Sequence, residues 1–267
     1  MKQFSAKEQQ DIETVIKKAG ANLLTSQNLD ILHQKYTNDL SSVVTQMDID
    51  TENFLKKELE NLFPAFGFYS EETFKNSKTE LDKKYVWVVD PIDGTLNFSR
   101  GLPLYGISVA LMHQNKPIFG AVYFPVLHEY YSAIKYGGAF VNSTQISVRH
   151  GKPQGRLFGA VEIYLNQFQQ FIKVASQNNL EFTENYCAVF AYTQTAAGRY
   201  DFALSLGLAL WDIAAGWIIL EEAGGVFEIF YKDEKKKKSG NPYYLWSIAG
   251  DKPVVEQIIK EVKQTWL

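Results

Sequence analysis

Tyr85-Val86-Trp87-Val88-Val89-Asp90-Pro91-Ile92-Asp93-Gly94-Thr95-Leu96-Asn97-Phe98 changes character abruptly after its fifth residue. The opening residues are β-branched or aromatic with no polar interruption, which predicts a strand covered on both faces. Pro91 keeps Asp90 extended and prevents a helix from starting early. Gly94 permits a sharp turn, and Thr95 is expected to cap the short helix that follows. Asp90 and Asp93 then sit at the carboxyl end of a buried strand, where open α/β sheets place their ligands. Carboxylates favour hard divalent cations such as magnesium, and helix N-termini favour phosphate. The same stretch also reads as an Asp-Pro…Asp-Gly turn with both acids in solvent.

Outward from this segment the period alternates between strand and helix. Upstream, Ile12, Val15, Ile16, Ala19 and Leu23 fall at helical spacing, with Lys17 and Lys18 on the other face. A polar stretch, Gln34 to Ser42, precedes a second expected helix from Asp48 to Leu62, stopped by Pro64. Downstream, Ile107 to Met112, Ile118 to Phe124 and Glu129 to Ile134 read as strands joined by short turns, and Tyr136 to Phe140 as a turn into another. Helices are expected at Gln167–Gln177, Ala188–Ala197, Trp211–Ala223 and Val254–Val262, with a strand at Val226–Tyr231. The charge run Asp233 to Lys238 reads as a solvated loop. With no repeat and no low-complexity linker, the chain divides softly into a lobe at 1–145 and a lobe at 146–267.

Composition narrows the functional classes. The 267 residues are 46% hydrophobic and 21% charged, with a net charge of −3, an ordinary globular balance that argues against nucleic-acid binding through a broad basic surface. Cys187, the single cysteine, cannot form an internal disulfide and supports no Cys/His zinc cluster. Its place in an expected helix favours a structural role. His33, His113, His128 and His150 lack paired ligand spacing. The polar amino terminus has no apolar signal core. The window Phe202–Leu220 nearly spans a bilayer in length, but Asp212 at its centre would cost roughly 2.5–3.5 kcal/mol on insertion. A buried globular segment and a cytoplasmic protein are the expectation.

Two further acidic positions stand out. Ser70-Glu71-Glu72 follows the apolar stretch Phe66-Gly67-Phe68-Tyr69 and so sits at another expected strand end, although adjacent glutamates also suit a solvated loop. Asp212 lies inside an apolar run, where an ionised carboxylate needs a partner or a coordinated ion. Capping the helix Ile213–Ala223 would satisfy it, and a capping aspartate can still face a metal.

Asp90-Pro-Ile-Asp-Gly-Thr-Leu-Asn-Phe, Trp211-Asp-Ile-Ala-Ala-Gly and Glu221-Glu-Ala-Gly-Gly, taken with Glu71-Glu72 and Val44-Thr45-Gln46-Met47-Asp48 in the same order, resemble the inositol monophosphatase family of the magnesium-dependent, lithium-sensitive sugar phosphatases. The resemblance spans nearly the whole chain. It implies a layered αβαβα fold of the α/β (α+β) class, a phosphomonoesterase of the inositol-1(or 4)-monophosphatase type, two or three Mg2+ ions and a homodimer. By position it assigns Glu71, Asp90 and the Ile92 carbonyl to one ion, Asp90, Asp93 and Asp212 to a second, and Glu71 to a third where one is bound. The Gly94 and Thr95 amides would receive phosphate, with Ile92, Asp93 and Asp212 also lining the substrate site. Glu71 and the Thr95 hydroxyl would orient the attacking water, supported by the pair Asp48 and Thr45.

Electrostatics supports the ion requirement. Each like-charge contact between a carboxylate and a phosphate at 4 Å costs roughly 1–4 kcal/mol for an effective dielectric between 80 and 20. Four converging carboxylates would therefore repel the substrate unless bound cations reversed the field. Two ions can activate a water and neutralise the leaving alkoxide, so no cysteine, serine or histidine nucleophile is needed.

The departures from the family concern substrate. Ser70 replaces a glycine, Ser205 stands where members that hydrolyse inositol phosphates often carry a glutamate, and Thr183–Cys187 lacks the Arg-x-x-Gly-Ser pattern. Myo-inositol monophosphate is the default substrate. Sugar phosphates, the 2′-phosphate of NADP and 3′-phosphoadenosine 5′-phosphate are alternatives, as is a regulatory binding role on the same fold.

Overall fold

A computed structural model describes residues 2–25, 31–34, 43–76, 78–151, 155–163, 165–230 and 245–266. The charge run 233–238 and nearly all of the polar stretch 34–42 lie outside the described residues.

The decisive strand is β4 (Tyr85–Asp93), with α1 (Ala6–Thr25), β1 (Ile31–Gln34), β2 (Val43–Thr45), α2 (Gln46–Leu62) and β3 (Gly67–Ser70) before it. After it come α3 (Thr95–Ser99), β5 (Gly106–His113), β6 (Lys116–Phe124), β7 (Glu129–Ile134), β8 (Gly138–Val141) and β9 (Thr144–Ile146). Strands β3 to β9 form a seven-stranded sheet in chain order, antiparallel except for the parallel pair β3–β4. The second half supplies β10 (Leu157–Glu162), α4 (Leu165–Asn178), β11 (Leu180–Thr183), α5 (Ala188–Ala196), β12 (Phe202–Leu208), α6 (Leu210–Glu222), β13 (Val226–Phe230), β14 (Leu245–Gly250) and α7 (Lys252–Trp266). Its sheet has five strands in the order β11-β10-β12-β14-β13, with β10 parallel to both β11 and β12.

Side-chain alternation along the buried strands builds five layers. Trp87 and Val89 join Ile12, Ile16, Leu55 and Leu59 of α1 and α2 in one core. Val86 and Val88 face the other way, into a core shared with Val189 and Tyr192 of α5 and Trp211 and Ile218 of α6. Ala160, Ala203 and Ala249 close that middle core from the five-stranded sheet. Their neighbours Val161, Leu204 and Ile248 pack outward against Phe171 of α4 and Ile258 of α7. The order is α–β–α–β–α. Both sheets are covered on two faces, so their strands read as continuous apolar runs rather than alternating ones.

Small residues bring α6 close to the seven-stranded sheet. A Cβ on Gly120 of β6 would lie 2.5 Å from Ile218 Cγ2 and 2.8 Å from the Ala215 carbonyl oxygen. Ser108 of β5 donates its hydroxyl to the Trp211 carbonyl at 3.2 Å, tying the first turn of α6 to the same sheet. No described helix is long and apolar enough to cross a membrane; the window 202–220 is β12 followed by α6.

Three local expectations are corrected. Thr95 does not cap α3: Gly94 does, in the left-handed conformation at φ +89°, because the chain must reverse there and a side chain would meet the Leu104 carbonyl oxygen at 2.8 Å. Asp212 is the third residue of α6, which begins earlier than expected, and its carboxylate reaches back to the Ala209 N–H at 2.8 Å. Cys187 is not within α5 but immediately before it, extended at φ −157°.

Candidate active site

β4 ends in an irregularity. Asp90 pairs with Ser108 and Asp93 with Gly106, so two residues of β4, Pro91 and Ile92, stand opposite the single Ile107, a bulge of one extra residue. Pro91, which has no N–H to give to a ladder, is one of them. Asp90 is 2% exposed, and its Oδ1 accepts the Ile92 N–H at 3.0 Å. Burial pushes its carboxyl well above the ordinary range, and the charges of Glu71, Asp93 and Asp212 push it further in the same direction. Glu71 directly follows β3 and touches Asp90 by a side-chain hydrogen bond; its own N–H donates to the Val89 carbonyl at 3.3 Å.

Asp93 is held from the far side of the molecule. Its Oδ2 accepts the Val189 N–H at 2.6 Å and the Cys187 thiol at 3.4 Å. Burial raises its carboxyl to about 6 against the lowering effect of these donors. Burial first, and then the neighbouring Asp93, hold the Cys187 proton on sulfur, the opposite of what a nucleophilic thiol requires. Asp212 is brought to the group by α6, across the interface between the two sheets.

A second hydrogen-bonded unit adjoins the acids. Thr95 Oγ1 lies 2.9 Å from both Asp48 Oδ1 and the Ile92 carbonyl oxygen, so its single proton has two acceptors. Asp48, fully buried at the start of α2, accepts the Thr45 N–H at 2.7 Å and the Thr45 hydroxyl at 2.6 Å on Oδ2. Burial raises its carboxyl to about 6, while the Thr45 donors pull it back.

Glu71, Asp93 and Asp212 are thus all within electrostatic reach of Asp90, Glu71 also acts on Asp93, and Asp48 feels Glu71. The charged groups acting most strongly on Asp90 are all acids, and every donor is a hard oxygen; that set suits a hard divalent cation. As the side chains stand, no three of the described His, Cys, Asp and Glu residues form a finished metal-holding group. Asp90, Asp93 and Asp212 each commit one oxygen to a backbone N–H.

The sequence reading passed over Glu162 and read the turn that precedes α5 only as a departure from the family pattern. Glu162, partly buried at the end of β10, accepts the Asn185 N–H at 3.2 Å, and burial followed by the Asp93 charge raises its carboxyl to about 8. Its signal was the one that singled out Asp90, an acid directly after an apolar run. Of the histidines, His113 has a buried Nδ1 with no hydrogen-bond partner, and His150 Nδ1 lies 3.2 Å from Asp251 Oδ1. No described contact joins either ring to the acids. The side chain of His33 lies outside the description.

The inositol monophosphatase family model matches residues 4–263. The chain belongs to the inositol monophosphatase family. This is a phosphatase family, and its members share the layered fold described above. The fructose-1,6-bisphosphatase/inositol-1-monophosphatase of Thermotoga maritima is 30% identical over 222 residues, covering 82% of this chain and 85% of its own. The Nus factor SuhB of Pasteurella multocida is 30% identical over 241 residues, covering 86% and 84%. Among solved structures, a Thermotoga maritima IMPase superposes with a TM-score of 0.82 at 26% identity, covering 98% of each chain. The suhB protein of Bartonella henselae gives 0.80 at 26% identity, covering 97% of this chain and 99% of its own.

Proposed function

We propose that this family member is a magnesium-dependent phosphomonoesterase acting on a small polyol monophosphate, with myo-inositol monophosphate as the lead substrate. The observation that carries the reading is the group of acids around buried Asp90, whose mutual repulsion is relieved by protons or by cations. Glu71, Asp90, the Ile92 carbonyl, Asp93 and Asp212 would hold two or three magnesium ions. Bound there, magnesium supplies an activated water, charge neutralisation for the phosphate and stabilisation of the leaving alkoxide.

The chain's own residues prepare that chemistry. Thr95 directs its proton at Asp48 Oδ1 or the Ile92 carbonyl, which leaves a hydroxyl lone pair to accept from a water. Such a water points a hydrogen at Thr95 and keeps an oxygen lone pair for phosphorus. Glu71 would orient the same water, and Thr45 fixes Asp48 with two donors. The Gly94 and Thr95 amides would receive the phosphate, with Asp93 and Asp212 beside it. Inositol is the default alcohol because Leu96-Asn97, rather than Lys-Glu, follows Asp93-Gly94-Thr95, which favours that branch over the nucleotide 3′-phosphatases; Ser205 leaves sugar phosphates, the 2′-phosphate of NADP and 3′-phosphoadenosine 5′-phosphate as competing substrates. A cytoplasmic homodimer inhibited by lithium completes the proposal.

The test is a phosphate-release panel covering inositol, sugar, glycerol and nucleotide phosphates, with magnesium and with chelator. Magnesium-dependent release, fastest on polyol monophosphates, is expected; no release from any substrate in magnesium would overturn the reading. Relatives named as Nus factors favour a second reading, a binding role on the same fold. Capture of a macromolecular partner by a protein silent in that panel would support it.

A further inference from the structure

The turn Asn185-Tyr186-Cys187 is gripped from two directions by side chains outside the acidic group. From β10, Glu162 Oε1 accepts the Asn185 N–H at 3.2 Å, and the same carboxylate receives the Cys187 N–H. From α3, Asn97 Nδ2 donates to the Asn185 carbonyl at 2.8 Å and reaches the Tyr186 carbonyl at 3.5 Å, while also donating to the Leu104 carbonyl at 2.7 Å. Tyr186 stands at φ +52° with its ring half exposed, a backbone conformation that persists in a non-glycine residue only when its surroundings hold it. At the end of the turn and two residues on, the Cys187 thiol and the Val189 N–H both donate to Asp93 Oδ2. The grip on the turn is therefore transmitted to one carboxylate.

We propose that Glu162 and Asn97 are positioning residues for Asp93: by clamping the 185–187 turn from opposite sides, they set the direction in which Asp93 presents its carboxylate to magnesium. The proposal rests on the reading of Asp93 as a metal ligand, and residues that orient ligands typically influence metal affinity by 10- to 100-fold.

The experiment uses the full-length protein and three variants, Glu162→Ala, Asn97→Ala and Glu162→Gln. Magnesium binding is measured by calorimetry, thermal unfolding by circular dichroism, and phosphate release across a magnesium titration. Both alanine variants should weaken magnesium binding by roughly 10-fold or more and raise the magnesium needed for half-maximal release in parallel. Glu162→Gln keeps an oxygen acceptor for the Asn185 N–H and should recover to within about threefold of the parent protein. If Glu162→Ala does not fold, Glu162→Asp, which withdraws the carboxylate by one methylene, is read on the same scale. Alanine variants that unfold earlier but bind magnesium like the parent would overturn the proposal, as would a parent protein that binds no magnesium. A parent that binds magnesium but releases no phosphate would sink the phosphatase reading, whereas the calorimetric comparison would still decide this one.

Discussion

The two sheets of this molecule are built by different rules. In the seven-stranded sheet, strands β3 to β9 lie side by side in chain order and are joined mostly by tight turns, so neighbours in sequence are neighbours in space. In the five-stranded sheet the order is β11-β10-β12-β14-β13, and parallel pairs require crossings through α4 and α5. The difference carries over to the site. Asp48, Glu71, Asp90, Asp93 and Thr95 come from one continuous stretch around the first sheet, and their geometry depends on local turns. Asp212 and the turn at 185–187 arrive from the other side of the interface. The first region should carry chemistry that fails sharply on substitution, whereas the second should carry placement that fails by degrees.

The largest expected effect tests the first half of that contrast. Asp93→Asn should cut magnesium-dependent phosphate release by at least 10²-fold, about 2.7 kcal/mol of transition-state stabilisation. Its melting temperature should hold, since the change removes a charge from a like-charged group. Steady-state kinetics and a thermal melt on the same preparation measure both quantities. Asp212→Asn, assayed beside it, sharpens the comparison: an equal loss means the second region supplies chemistry as well as placement.

Next in size is a packing change at the place where the two regions meet. Gly120→Val puts a branched side chain where α6 already approaches β6, and overpacking of this kind should cost about 2–3 kcal/mol of stability. Urea denaturation reads it directly. A neutral result would mean that α6 can slide away from the sheet and that the interface is not rigid.

The pH dependence of the metal-free protein comes third. Asp48 rises from 3.8 unfolded to about 6 folded, so below the unfolded value both states carry the proton and the group favours neither. Between the two values the folded state binds the proton more tightly, and above the folded value burial of the charge is a penalty. Unfolding free energy should therefore fall as pH rises from about 4 to 6, by about 1–2 kcal/mol for this residue. Comparing the parent protein with Asp48→Asn in chelator at pH 4.5 and 7 isolates the contribution. A slope that is identical in the two proteins would show that Asp48 does not supply it.

Much of the first region was legible from the sequence because its signals are local. The apolar run ending in Asp90-Pro91, the apolar runs of β5 to β7 and the short turns between them announce a buried strand and hairpins. The second region was harder. β12 lies inside the unbroken apolar stretch 202–220, and a strand covered on both faces has no period-two signature to separate it from a buried helix. β10, β11 and β14 went unread, being short strands whose partners are set by long-range pairing. The same limit explains Cys187 and Glu162. Nothing adjacent to either in sequence reveals that Asp93 is their neighbour in space.

The smallest expected effect addresses whether the two regions are coupled through a single tie. Ser108 belongs to the first sheet, and its hydroxyl reaches the Trp211 carbonyl, one residue before Asp212. Ser108→Ala leaves that carbonyl without this donor and should cost about 0.5–1.5 kcal/mol of stability, the usual net value of a hydrogen bond. If α6 is held mainly by the close contact at Gly120 and the apolar middle core, phosphate release should change by less than about threefold, because a well-packed helix does not shift for the loss of one bond. A tenfold loss of release with unaltered stability would reverse that assignment. It would make Ser108 the element that sets Asp212, and the placement attributed to the second region would then be dictated from the first.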